Sequence, residues 1–538
     1  MALLIQESEW GRSNMRPEEY QISKEKFVLA NENKKLKDKE LVTKPISFFH
    51  DAFNRFCRNK GSIVAAIIIG ILALFAIIAP ICSPYTVGYS DTYFKFCLPK
   101  NPLFAETNFW DGCEEKNVNE MTFLRYYAIG VETGHNAIKN QKYSTYVTKD
   151  SRNKDVTMYK YRFDTYQQTG VIFKQITLSE YAQIQAYQDK TNIQVIYPTT
   201  ELSKRPESPS DKTNANYWYQ TEYKSSKTYP LNYTINADKT VSYTNIYAPT
   251  TAIDESLYNS KMRVEGDTPV YSYARLVAND TMVEVRLCYY EYYIFTHKEV
   301  LKDGISSPIF TLGTTDSGKD ILTCLSSGAR FSFVLAIAVA VVNMIVGAIY
   351  GAIEGYYGGK VDLILERIVE ILSAVPFMIV ITLMKYHMSS TPQALILFIA
   401  FFATGWMGMA STVRMQFYRF KNQEYVLASR TLGASDMRIM FRHIFPNSLG
   451  TIVTSCVFVI PGMIFSETSL SYLGIINLET GNLTSVGTLL AAGQPYLVTY
   501  PHIVLFPAIF ISLLMLSFNL FGNGLRDAFN PSLRGTEE

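Results

Sequence analysis

Residues 424–447 read EYVLASRTLGASDMRIMFRHIFPN, a charged and punctuated stretch between two strongly apolar ones. Tyr425, Ala428, Ser429 and Leu432 recur at i, i+3, i+4 and i+7, which is one face of a helix. Gly433 follows as a residue that tolerates positive φ, a good helix stop. Ser435 stands where a second helix would be capped, with Asp436 in its first turn near the positive end of the helix dipole. Met437, Met440, Phe441 and Ile444 make a second apolar stripe, which Pro446 is expected to end. Two short helices joined by a glycine turn between membrane spans suit a docking element. The same pattern suits a helix lying on lipid headgroups, and periodicity alone leaves both open.

Working outward, the flanks are spans. Ala394 to Val413 precedes the stretch, and a second apolar run from about Ser448 to Phe465 follows it. His502 to Phe521 is the last span, and Phe331 to Gly351 and Ile368 to Met384 lie upstream, the latter with Pro376 as an expected kink. Ser62 to Ile81, SIVAAIIIGILALFAIIAPI, carries no charge over a length that crosses a hydrocarbon core of about 30 Å. That makes six spans. Gly347, Gly351 and Gly355 recur every fourth residue and predict close helix packing rather than a ligand site.

The mean hydropathy of +0.03 hides this segregation. Residues 1–44 are polar and charge-mixed and read as a flexible cytoplasmic tail. No apolar h-region with a cleavage site follows the start, so no signal peptide is expected. Residues 45–61, with Phe49, Ala52, Phe53 and Phe56 beside Arg55, Arg58 and Lys60, read as an amphipathic interfacial helix, and 62–84 as the first transmembrane helix. Residues 85–306 form a polar insert rich in tyrosine with no span-length apolar run. TVSYTNIY (240–247) and MVEVRLCYYEYYIF (282–295) suggest strands, and Thr177 with Glu180 opens a helix over Leu178 to Tyr187. The insert is thus a β-rich or α+β domain whose tyrosines are read as sheet packing before a binding surface. Residues 307–531 hold the remaining five spans with the 414–446 loop, and 532–538 is a terminal tail.

Arg414, Arg419, Lys421, Arg430, Arg438 and Arg442 in that loop outnumber Glu424 and Asp436, whereas the 471–501 loop has only Glu479. Basic loops stay in the cytoplasm, which places both termini inside and residues 85–306 outside.

The composition points away from several function classes. A net charge of +2 gives no reason to expect nucleic-acid binding, and seven cysteines and six histidines lack metal-ligand spacing, so no metal site is signalled. A Cys97–Cys113 bridge is conceivable within the insert, which also holds Cys288. GTTDSGKD (313–320) follows the phosphate-cradling G-x-x-x-x-G-K pattern until Asp320, where Ser or Thr would hold magnesium and a carboxylate repels phosphate. No Ser, Cys or carboxylate is arranged with a histidine in a recognisable catalytic motif, so the chain is not read as an enzyme. Ionisable and polar residues near spans are Glu370, Glu467, Asn343 and Asn519. Helix contact is the ordinary explanation for the asparagines, and Glu467 is a candidate for a pathway or gate role.

These residues resemble a known family. EYVLASRTLGASDMRIMFRHIFPN looks like the coupling loop of bacterial ABC-importer permeases, with its acid, its small residues and Gly433. FNRFCRNKGSIVAAIIIGILALFAIIAPICSPY (53–85) is similar to the first span and flanks of the C-type permease subunit of oligopeptide and dipeptide importers. LGTTDSGKDILTCLSSGARFSFVLA (312–336) resembles its G-T-D-x-x-G-R-D segment, with Lys319 where arginine is usual. GYYGGKVDLILERIVEILSAVP (355–376), ETSLSYLGI (467–475) and GNGLRDAFNP (522–531) fit its later signatures. Two departures stand out: the long insert, where the family has a short outer loop, and Leu427–Ala428–Ser429, where paired alanines are common.

The resemblance implies an α-helical membrane protein of the type I importer permease fold, with six transmembrane helices and an ectodomain between the first two. It implies a multi-pass protein of the bacterial cell membrane forming half of a pathway for oligopeptides; dipeptides or nickel chelates are alternative cargoes. The implied partners are a homologous second permease, two ATP-binding subunits that hold ATP and Mg, and an extracellular or lipid-anchored substrate-binding protein. Surrounding lipids complete the setting; no cofactor is expected in this chain. Glu424, Tyr425, Ala428, Leu432 and Gly433 would touch an ATPase, with Met437 and Phe441 stabilising the loop. A membrane-anchored surface receptor or adhesin, or an ion-coupled secondary transporter, are readings from other classes. An anchor has no use for the docking loop, and no inverted repeat is evident for a secondary transporter.

Overall fold

The computed structural model describes residues 48–104, 107–197, 233–235, 241–243, 274–277, 282–479 and 483–529. The expected tails at 1–44 and 532–538 lie outside them. Helix α1, Phe48–Arg58, ends one residue before α2, Lys60–Cys82, whose start is capped by the Asn59 side-chain oxygen Oδ1 accepting from the Gly61 and Ser62 amides.

The membrane core is built from α2 and from α6, Ile321–Tyr357; α9, Gln393–Phe420; α11, Asp436–Tyr472; and α13, His502–Phe529, five helices long and apolar enough to cross a bilayer. The expected third span is instead two helices, α7, Gly359–Ser373, and α8, Phe377–His387, bent by 71°. Pro376 has no amide hydrogen and drives Val375 out of helical conformation, so the expected kink is a break. Pro446 does the opposite of what its sequence position suggests. It lies within α11, where Ile439–Ile444 form a π-helical turn, so the second loop helix runs straight on into the span. A wider turn there absorbs the missing donor.

The glycine stripe packs α6 on α9. A Cβ at Gly351 would lie 2.1 Å from the Ala410 carbonyl oxygen, and one at Gly355 would lie 2.7 Å from that of Arg414. Asn343 joins the same seam, buried and donating to the Phe401 carbonyl at 3.4 Å.

The insert is α+β. Strands β1, Cys113–Asn119; β2, Ile138–Lys149; and β3, Asp155–Asp164, form an antiparallel sheet in the order β1-β3-β2, covered by α3, Glu120–Thr133. A second sheet centres on β9, Met282–Cys288, with β4, Val171–Thr177, on one edge and β5, Ile196–Tyr197, and β8, Ala274–Val277, on the other. Strands β6, Tyr233–Ile235, and β7, Val241–Tyr243, pair separately; the rest of 240–247 lies outside the described residues. Helix α4, Leu178–Thr191, opens at Thr177, whose hydroxyl accepts from the Glu180 amide as expected, and runs one turn further than expected.

The reading of 282–295 as strand is corrected after Cys288: Tyr289–Phe295 is helix α5. Tyr289, Tyr292, Tyr293 and Phe295 fall on one buried helical face, a spacing masked by the β-propensity of aromatic residues. These rings pack with Phe94, Tyr166 and Phe310 in the main core of the insert. Cys97 and Cys113 form no bridge; their thiols approach the carbonyls of Thr165 at 3.8 Å and Asp111 at 3.6 Å.

The GTTDSGKD turn, residues 313–320, leads directly into α6. Asp320 is buried at the start of α6, accepting from the Thr323 amide at 2.9 Å and hydroxyl at 2.5 Å, and burial pushes its carboxyl up to about 6. The turn is a socket for the chain leaving α2: Asp91 donates to Gly318, Phe96 to Thr315, and Thr314 to Cys97, all through the backbone at 2.9–3.2 Å. Gly318, at φ +74°, has no room for a side chain, since a Cβ would lie 1.8 Å from the Asp91 carbonyl oxygen.

Asp111 locks one side of the insert. Its nearly buried carboxylate receives Arg162 at 2.8 and 3.2 Å and also Lys139. Burial by itself would raise this carboxyl, but the bonds from Arg162 and Lys139 outweigh it and hold the group below the usual carboxylate range. The stability it contributes is present above the unfolded pKa of about 3.9 and is lost as pH falls through the lower folded value. Asp111→Asn is expected to cost about 3 kcal/mol at neutral pH and to flatten the acid dependence, read by hydrogen exchange of β1 and β3 in the full chain.

Candidate functional site

The loop between α9 and α11 carries helix α10, Glu424–Thr431, whose inward face is a single residue, the fully buried Val426. The Gly433 amide bonds back to Arg430 and the Ala434 amide to Ser429, closing the helix with Gly433 at φ +81°, a conformation that disfavours any side chain. Ser435 takes the cap position before α11, but its side chain makes no capping bond.

Val426, Ile439, Met440 and Ile444 insert between the ends of α6 and α9, against Tyr356, Val413 and Phe417. This corrects the expectation that Met437 and Phe441 stabilise the loop: both are exposed, and Ile439, outside the expected stripe, is buried instead. Met440 and Ile444 of the expected stripe are buried, and Ile439–Ile444 wind as a π-helical turn, where the regular α-helical period does not apply.

Polar contacts fix the position of the loop. Tyr356 donates to Asp436 at 2.6 Å, and Arg430 lies over the Tyr356 ring and donates to its oxygen at 3.4 Å. The Asn447 amide donates to the Tyr425 hydroxyl at 3.2 Å and joins the two ends of the stretch. Below it, Arg414 grips Asp362 through two bonds of 2.6 and 3.1 Å, Tyr418 donates to the same carboxylate, and Glu354 lies 3.4 Å from Arg414. The sequence shows these acids and bases, but not that the α6–α7 turn brings them together.

The outer side of this braced loop presents large apolar side chains among the exposed Arg430, Arg438 and Arg442. Leu432 is 88 % exposed and Met437 62 % exposed, with Tyr425, Leu427, Ala428 and Phe441 also outward and Glu424 and Gly433 at its edge. Every residue expected at a docking contact therefore lies on the exposed loop. Glu467 is not among them. It is 1 % exposed, enclosed between α6 and α11, and accepts from Ser332 at 2.8 Å and Ser471 at 3.1 Å. Its carboxylate is a tie between helices in this conformation. Glu370 is exposed beside Arg367, and Asn519 is exposed on α13.

Residues 344–535, which contain this loop, match the family described as binding-protein-dependent transport system inner membrane component. Residues 47–98 match the N-terminal TM domain of oligopeptide transport permease C. The oligopeptide transport system permease protein OppC of Bacillus subtilis (strain 168) is 44% identical over 223 residues, covering 41% of this chain and 72% of its own length. The chain belongs to this permease family. The dipeptide transport system permease protein DppC of the same organism is 39% identical over 223 residues, covering 41% of this permease and 68% of its own length. A solved structure of the MetNI methionine ABC transporter in an inward-facing conformation covers 38% of this permease and 96% of that chain at 16% identity, with a TM-score of 0.32. The insert beyond residue 98 lies outside both family matches.

Proposed function

We propose that this permease forms half of the translocation pathway of an ATP-driven oligopeptide importer and couples to cytoplasmic ATPases through the 424–446 loop. The observation that carries the reading is the set of exposed apolar side chains, Leu432 and Met437 foremost, on a loop braced to two spans. A lever must be stiff at its root and sticky at its tip, and an anchor for a surface domain needs neither. The relatives named for oligopeptides and dipeptides support a peptide cargo. A homologous second permease completes the pathway, and a substrate-binding protein delivers peptide. ATP and Mg reside on the two ATPase subunits, and this chain performs no hydrolysis itself. The excess of basic residues in the 414–445 segment supports a cytoplasmic loop and termini, with the insert outside.

Affinity purification of the tagged chain from its own membranes is expected to bring down a second permease and two ATP-binding chains, and the complex in proteoliposomes to accumulate labelled oligopeptide only with ATP. Purification without ATP-binding chains, or uptake indifferent to ATP, overturns the proposal. Uptake of dipeptides alone would move the cargo to the second class of relatives.

A further inference from the structure

The turn that leads into β1 presents Leu103, Phe104 and Phe109 outward, with Leu103 86 % and Phe109 66 % exposed. It is firmly built. The Asn101 side chain accepts from the Leu103 amide at 3.0 Å, and the Thr107 hydroxyl bonds the carbonyls of Phe104 at 2.8 Å and Phe109 at 2.9 Å. Arg162, already fixed on Asp111, donates to the Asn108 carbonyl at 2.8 Å. A hydrogen-bonded turn that holds large apolar side chains away from its own domain marks an interaction site.

The neighbours identify the occupant. Phe104 stacks on Trp110, Phe109 meets Trp110 edge-on at 5.4 Å, and Trp110 lies parallel to Phe506 at 6.2 Å. Phe506 is one turn inside α13, a helix of 28 residues and so about 42 Å long. Against a hydrocarbon core of about 30 Å, that leaves about 6 Å at each end, which puts Phe506 and the ring stacked on it at the edge of the hydrocarbon. Along α13 the exposed side chains continue as Leu505, Ile509, Leu516 and Leu520, and α2, which packs beside it, exposes Ile77, Ile78 and Ile81. In a membrane protein such a stripe meets acyl chains. The turn before α13 adds Leu497 and Val498, both exposed. Tryptophan at this depth is the chemistry of a bilayer interface, and phenylalanine and leucine are side chains that enter its headgroup zone.

We propose that Leu103, Phe104 and Phe109 form a membrane-interface anchor, entering the headgroup zone of the lipid beside α13, with Trp110 joining them to the span. The anchor holds the insert down on the bilayer instead of leaving it to swing from its two connections.

The test uses the full chain, purified with its partners and reconstituted into nanodiscs of ordinary or brominated phosphatidylcholine. Tryptophan probes are placed by Leu103→Trp and Phe109→Trp, with Val147→Trp, an exposed site on β2, as control. All three positions are exposed, so the probes disturb no core. Brominated lipid is expected to remove at least half of the added emission at 103 and 109 and none at 147. The difference between wild type and Trp110→Phe reports the native ring and is expected to be quenched likewise. Probes at 103 and 109 that ignore brominated lipid overturn the anchor. If iodide in the water quenches them the turn is solvent-exposed, and if neither agent does a partner protein covers it.

Discussion

Gly351→Leu is expected to abolish folded permease: membranes should contain little chain that survives mild detergent as a monodisperse species. The new Cβ alone would lie 2.1 Å from a backbone oxygen of α9, an atom that cannot rotate away. Helices α6 and α9 would have to separate along the seam that also buries Asn343 and leads down to Tyr356 and Arg414. Overpacking of a core commonly costs about 1–3 kcal/mol, and here the obstacle is backbone, so the upper end applies. Gly408→Ala on α9 is the control. Nothing lies within 4 Å of its Cβ position, and alanine favours the helix by about 1 kcal/mol, so its yield should be unchanged or better. Fluorescence-detected size exclusion of the two variants makes the comparison directly.

Leu432→Asp is expected to do the reverse, leaving the folded amount intact while removing ATP-driven uptake. With 88 % of its surface open, Leu432 contributes little to the fold. If Leu432 is a hot spot of the contact, worth about 2 kcal/mol, its loss weakens ATPase retention by about thirtyfold. Val426→Asp separates the two effects, because a carboxylate in that buried position should lower the yield before coupling can be measured. Pull-down of the ATP-binding chains, normalised to the permease recovered, distinguishes a lost contact from a lost fold. Equal retention by Leu432→Asp and wild type would remove this residue from the coupling surface.

Much of this was legible because it rests on short-range rules. Uncharged length marks α2, glycine spacing marks the α6–α9 seam, and Gly433 marks the end of α10. The failures occur where one residue type serves two rules. Pro376 breaks a span while Pro446 sits inside one, just after a π-helical turn. Tyr289 to Phe295 has strand-like composition and helical spacing, and its buried helical face packs into the core of the insert. Met437 and Phe441 lie exposed where Ile439 is buried. The bracing of the 424–447 loop by Arg414, Asp362 and Tyr356 depends on contacts between helices far apart in the chain, which no window of sequence displays.

The socket formed by Gly313 to Asp320 has a wider consequence. Backbone bonds pair Thr314 with Cys97 and Lys100 with Phe310, so the chain departs for the insert and returns from it at the same point. The core therefore sees a closed seam whatever lies beyond it, and because loop closure grows only logarithmically with length, a turn of a few residues and a domain of two hundred place similar demands on it. That is the geometry of a splice site: a port in the permease where evolution, or an engineer, can exchange one module for another without re-cutting the pathway beneath.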